Sequence, residues 1–353
     1  MYIFLILLAF FFGIVFSFKN NKISIEIVSI LFFSLSYLIY SGLRDLTFGE
    51  DSINYYTNYF LNAHQYNSIL EFLSSGDVFF RFIIYFLLIF SSSWYFYSFT
   101  IAFICLFIVL KIDEIDLKSK KVYFFTALII TNPIFIENTS NILRSTLCCL
   151  ILMFGYLIDR KKKSIILIVF GSLTHYFQAI IIWVIFITAR INLLKNNKHL
   201  KLFASGILIT VLLKTFTSII QIDKLSEYSE IINLFLSSNN IVNYTMSQVL
   251  TDKTEITINV FFQLILYIII PLFFIKFEDL KDKHKKILNV TAIALTLYVF
   301  LYPEFILVLR VIPICILGIT YLFTLRMNKN KRIYAFSIIF FNFLLTIYNL
   351  SNT

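Results

Sequence analysis

A series of long apolar stretches limits what this 353-residue chain can fold into. They run over 2–18, 23–41, 122–136, 145–158, 202–220, 258–275, 287–302, 305–324 and 333–349. A helix needs about 20 apolar residues to cross a bilayer. Two further regions, 79–110 and 164–189, are apolar but of awkward length. In lipid every backbone N–H and C=O must be satisfied internally, so only helices and closed barrels remain. Barrel strands alternate polar and apolar residues, whereas these runs are continuous. The expected fold is all-α: a polytopic integral membrane helical bundle of about 10–12 spans, at about 20 residues each, forming one transmembrane domain over 1–353. Charged residues make up 14% of the chain, against about 25% in soluble domains. Segment 2–18 has no basic leader and no small-residue cleavage site, so it reads as a first span rather than a signal peptide.

The net charge of +10 is not a nucleic-acid signal. Twenty-three of the 30 basic residues fall in six short loops: Lys19–Lys22, Lys111–Lys121, Arg160–Lys163, Arg190–Lys201, Lys276–Lys286 and Arg326–Arg332. The positive-inside bias assigns those loops to the cytoplasm. The stretches 42–80 and 221–257 are poor in Lys and Arg and belong outside, with the short turns 137–144 and 303–304 and both termini. Region 79–110 must then cross an odd number of times, although Ser91–Ser93 divides it. Region 164–189 must cross an even number of times, and its 26 residues are too few for two full spans. A broken or re-entrant hairpin around Gly171–Tyr176 satisfies that parity. The cysteines Cys105, Cys148, Cys149 and Cys315 lie in apolar runs with no metal-ligand spacing and read as buried hydrophobes.

Arginine is the minority cation, eight against 22 lysines, yet it occupies the odd positions. Arg44 follows the second apolar run, Arg81 opens the third region, and Arg144 precedes the 145–158 run. Arg310 would lie about 7–8 Å inside a span starting near 305, at about 1.5 Å per residue. A guanidinium stays charged and presents a planar fork that suits phosphate. A charge within a span persists where it is functional or paired; candidate pairs are Arg44 with Asp45 or Asp51, and Arg310 with Glu304.

Stretch 41–60, SGLRDLTFGEDSINYYTNYF, is far more polar than a connector requires. It reads as a polar site at a membrane surface, where Tyr55 and Tyr56 offer faces on which sugar rings stack. His175 lies in GSLTHYFQ at the middle of the suspected break. It suits activation of a sugar hydroxyl or positioning of a phosphate; a neutral histidine bonded to a neighbouring helix is the alternative. His64, His199 and His284 read as loop residues. Asp113 and Asp116 in KIDEIDLK read as a solvated charged turn rather than a metal pair.

The order Arg44, Gly49, Asp51, Tyr55 after the second apolar run resembles the signature of the EpsG-like polysaccharide polymerases, relatives of the Wzy O-antigen polymerases. Arg144 in NILRSTL, His175 in SLTHYFQAI and Arg310 in LRVIP resemble later positions of the same family; Glu50, between glycine and aspartate, departs from its usual small residue. The resemblance implies a multi-pass glycosyltransferase of the bacterial inner (cytoplasmic) membrane. Such an enzyme joins undecaprenyl-diphosphate-linked repeat units at the external face into an O-antigen, capsule or exopolysaccharide. It implies neither cofactor nor metal, and as partners the lipid-linked glycan, membrane lipids, a chain-length regulator and a flippase. Arg44, Arg81, Arg144 and Arg310 would bind diphosphate, Tyr55 and Tyr56 the sugar, and Asp51 or His175 would take the proton of the attacking hydroxyl. A flippase for the same lipid, or a membrane transferase that decorates a finished glycan, would also use embedded arginines.

Overall fold

The computed structural model describes residues 23–44, 46, 50–61, 69–74, 76–116, 124–141, 143–189, 193–220, 261–301 and 310–351. The expected span 2–18, the loop 221–257, Asp45, Gly49, Glu304 and the side chain of Asp51 lie outside them. Among the described residues there is no strand. In chain order the helices are α1 (Ile23–Gly42), α2 (Glu50–Asn54, continued by a π-helical turn Tyr55–Phe60), α3 (Ile69–Ser74), α4 (Val78–Leu88) and α5 (Trp94–Asp116). There follow α6 (Phe124–Ile130), α7 (Pro133–Asn141), α8 (Leu143–Leu157), α9 (Lys161–Thr174), α10 (Tyr176–Thr188) and α11 (Asn197–Ile220). The last are α12 (Phe261–Phe274), α13 (Asp282–Leu301), α14 (Ile312–Thr324) and α15 (Lys329–Ser351). Segments Trp94–Ile115 and Asp282–Leu301 are long and apolar enough to cross a membrane; α4, α8, α10, α12 and α14 are shorter apolar helices.

Close helix approach depends on small residues at the contacts. A Cβ on Gly42 would stand 2.8 Å from the Phe99 Cα, so α1 and α5 meet backbone to backbone there. A Cβ on Gly318 of α14 would overlap Thr291 Cγ2 of α13. Gly318→Ala is therefore expected to lower stability by about 1–3 kcal/mol, read as a lower thermal midpoint of the detergent-solubilised protein.

Several sequence expectations change. The run 122–136 is not one helix, and 137–144 is not a simple turn: the chain breaks at Thr131–Asn132 and continues helical to Asn141. Pro133 has no N–H and disfavours helical backbone at the residue before it. Asn132 Oδ1 accepts the Ile134 N–H at 2.9 Å and so starts α7. Asp113 is not solvated: it lies in α5, 2% exposed, and accepts the N–H and hydroxyl of Thr126, both at 2.8 Å. An acid from one helix thus caps the first turn of another. His284 is no loop residue; it is buried in α13 with its ring 5.8 Å from that of Tyr321. The four cysteines are free and buried, as expected.

Both regions of awkward length resolve. Tyr56 bonds the Ser92 carbonyl and Trp94 bonds the Arg44 carbonyl, while α4 begins beside Asp77. Both ends of α4 thus stay at one end of the bundle. Only α5, about 35 Å long at about 1.5 Å per residue, runs through it. In the second region α9 and α10 meet at His175, whose backbone is extended (φ −158°, ψ 99°). Cys148, Leu152 and Ala179 pack together with Ile168 and Ile182, and the Tyr156 and Phe186 rings are 5.4 Å apart. Moving down α8 therefore also moves down α10, and the chain has reversed at His175. The expected broken hairpin is present, with two legs of about 20 Å at about 1.5 Å per residue.

Candidate functional site

Three helix starts and the hairpin apex converge at the end of the bundle opposite the lysine-rich turns. A single carboxylate joins them. Asp77 precedes α4 at its N-cap position, but its side chain does not cap its own helix. Instead its Oδ1 accepts the backbone N–H of Tyr176 at 3.1 Å, which caps the first turn of α10. Its Oδ2 accepts from Arg144 Nη1 at 2.5 Å and from His175 Nδ1 at 3.1 Å. No proline interrupts the chain at His175, so the hairpin apex is held by bonds from α4 and α8.

On the far side of the imidazole, Nε2 lies 3.4 Å from Arg310 Nη1. A guanidinium only donates and a carboxylate only accepts. The ring between them is therefore protonated on Nδ1, with the Nε2 lone pair facing Arg310. The expected start of this span near 305 lies outside the described residues; Arg310 stands in the turn before α14, which begins at Ile312 with Pro313 in its first turn. Its carbonyl accepts from Gln178 Nε2 at 2.8 Å, and its guanidinium lies 5.3 Å from the Phe177 ring. Arg310 is thereby tied to α10 through backbone and side chain together.

Burial raises the Asp77 carboxyl, but the hydrogen bond from His175, the Tyr176 N–H and the charge of Arg144 outweigh it. The group is held below the usual carboxylate range. It is an anion at neutral pH, and its contribution is lost only as the pH falls through that lowered value.

The remaining candidates surround this core. Arg81, one turn into α4, is buried and lies 4.9 Å from the Phe72 ring. A Cβ on Gly76 would come within 2.9 Å of its Nε, so the glycine beside Asp77 makes room for the guanidinium. Arg44 is buried, 5.6 Å from the Trp94 ring. Its backbone carbonyl accepts from Trp94 Nε1 at 2.9 Å, which ties it to the start of α5. The aromatic pair plays a packing part. Tyr55 is 6% exposed, with Arg144 5.7 Å from its ring and Phe80 edge-on. Half-buried Tyr56 is edge-on to Trp94 and donates its hydroxyl to the Ser92 carbonyl at 3.0 Å.

The sequence reading missed Asp77. Its signal was a lone acid directly before an apolar run, four residues from an arginine. Below the cluster an almost wholly apolar cavity of about 190 Å3 opens between the hairpin and the α13–α14 pair, lined among others by Cys149, Leu152, Ile182, Trp183 and Leu317. Gln178, which holds the Arg310 carbonyl, also donates to Cys149 Sγ at 3.3 Å. One residue of the cavity wall, Cys149, is thus bonded to the side chain that holds the Arg310 carbonyl. Among the described residues no group of three or more His, Cys, Asp or Glu is placed to hold a metal ion.

Comparison with known proteins identifies a family. The model of the EpsG family matches residues 27–353, nearly the whole chain. No curated protein and no solved structure matches.

Proposed function

This chain belongs to the EpsG family, a Wzy-like polymerase family of membrane polysaccharide biosynthesis, and from that membership we propose that it joins polyprenyl-diphosphate-linked saccharide units by glycosyl transfer. The observation that carries the reading is the Asp77–Arg144–His175–Arg310 cluster, in which two guanidinium groups flank an oriented imidazole. The lysine-rich turns lie at the other end of the bundle, so the positive-inside bias supports an extracytoplasmic position for the cluster. The apolar cavity beside it suits the lipid portion of such a substrate.

In this mechanism a hydroxyl of the acceptor sugar attacks the anomeric carbon of the donor sugar. The new C–O bond forms as the bond from that carbon to the diphosphate oxygen breaks. As Arg310 turns from Nε2 to the diphosphate, the hydroxyl proton passes to His175 Nε2, the one basic lone pair of the ring, while Asp77 holds Nδ1–H in place. The lipid diphosphate leaves with its charge neutralised by Arg144 and Arg310; Arg44 and Arg81 add positive potential from behind the aromatic layer. Preorganised charge of this kind is commonly the largest catalytic contribution. In this reading the substrate is a saccharide unit on an undecaprenyl-type diphosphate carrier, and the product is a surface polysaccharide.

Arg44→Ala tests the reading. Long-chain polymer is expected to disappear, with the protein still present in the membrane and single lipid-linked units exposed on the outer face. Units trapped on the inner leaflet would indicate a flippase instead. A change in glycan composition at unchanged length would indicate a decorating transferase. Wild-type chain lengths would remove Arg44 from the site.

A further inference from the structure

The lysine-rich end of the bundle contains a second, independent feature. A cavity of about 470 Å3 lies between the 275–281 linker, the start of α13 and the α14–α15 corner. Four cations line it: Lys276, Lys281, Arg326 and Lys331. Asp279 is the single carboxylate among the lining residues, and Arg326 Nη1 takes it at 2.5 Å. Lys331 is the unusual member. It is 5% exposed, with Nζ donating to the Phe323 carbonyl at 2.8 Å and lying 5.3 Å from the Phe323 ring. An ammonium has three protons to donate, and among the described residues that carbonyl is its hydrogen-bond partner. The opposite wall is apolar, made by Phe274, Leu322 and Leu325.

We propose that this cleft binds the phosphate headgroup of an anionic phospholipid, with the headgroup against Lys276, Lys281 and Lys331 and the start of an acyl chain against Phe274, Leu322 and Leu325. A solvated charged face would spread its lysines over a convex surface. Here they bound a concavity with one of them buried. A soluble phosphate would satisfy the cations but has no use for the apolar wall, which continues into α12 and α14, two apolar helices. Basic pockets between helices at the cytoplasmic side are where anionic headgroups are recognised. The site stands apart from the Asp77 cluster: α14 carries Arg310 before its first turn and this cleft at its last.

The test uses the full-length purified protein in mixed micelles of phosphatidylcholine and phosphatidylglycerol, with retained lipid read by native mass spectrometry. Wild type is expected to retain phosphatidylglycerol in preference to phosphatidylcholine. Lys276 and Lys281 are exposed, so Lys276→Gln with Lys281→Gln leaves the fold intact. It is expected to weaken that retention by about fivefold for each lysine removed. Lys161→Gln with Lys162→Gln removes two exposed lysines of another turn at the same end and is expected to leave retention unchanged. Equal loss in both variants would mean general surface attraction and overturn the proposal, as would equal retention of the two lipids by wild type. Displacement of the lipid by inorganic phosphate would assign the cleft to a soluble anion and overturn it too.

Discussion

Asp77→Asn is expected to slow polymer formation by about 10²–10⁴-fold, the usual contribution of a positioned general base, while the protein remains folded in the membrane. The substitution keeps the shape of the side chain and an oxygen for Arg144 or Tyr176. It replaces the other oxygen with an amide that donates. Nδ1–H of His175 now faces either a donor or a weaker acceptor, and the imidazole is free to move its proton to Nε2. The lone pair that would take the hydroxyl proton is then lost. Asp77→Ala goes further, because it leaves the half-buried Arg144 without this anion. Breaking a fully buried ion pair costs about 3–5 kcal/mol; with Arg144 half-buried the cost is smaller, and that variant is expected to lose some abundance as well as activity. The comparison separates the two roles of the carboxylate: Asn reads the imidazole, Ala reads the hairpin apex. Normal polymer in Asp77→Asn membranes would remove His175 from proton transfer.

The second large effect belongs to Arg144. Arg144→Lys keeps the charge but gives up the planar fork that reaches Asp77 and Tyr55 together. Its ammonium can hold Asp77 or a phosphate oxygen, not both in the wild-type geometry. A loss of about 10²–10³-fold in transfer rate is expected, comparable to removing one preorganised donor from a developing anion. The thermal midpoint should change little, since the ion pair with Asp77 survives. A lysine variant as active as wild type would show that charge alone suffices and that the Asp77–Arg144 geometry is structural.

Much of this architecture was legible before any coordinates. Continuous apolar runs leave helices as the one way to satisfy the backbone in lipid, and the charge bias pairs them into two ends. The parity of region 164–189 located a reversal near His175, because no count of full spans fits 26 residues between two basic turns. The placement of arginines among lysines singled out Arg44, Arg81, Arg144 and Arg310. What escaped the sequence was contact across long separations. Asp77 sits 67 residues from Arg144 and 98 from His175, and no local rule links an acid before one helix to the first turn of another. Asp113 misled for the same reason: surrounded by lysines it looks solvated, and only the fold brings Thr126 onto it. Asn132–Pro133 was different, since the proline was visible and its effect on the preceding residue is local. It was outweighed by the apolar run around it.

The central claim, that Arg144 and Arg310 grip a lipid diphosphate beside His175, is tested most directly by binding. Purified wild type and the variant Arg144→Ala with Arg310→Ala would be titrated in detergent with a polyprenyl diphosphate that carries no sugar, and in parallel with the polyprenyl alcohol. Wild type should bind the diphosphate far more tightly than the alcohol. The variant should lose about 100-fold or more of that affinity, as expected for two charge-assisted contacts, and bind the alcohol as wild type does. Equal affinity of wild type and variant for the diphosphate would contradict the claim.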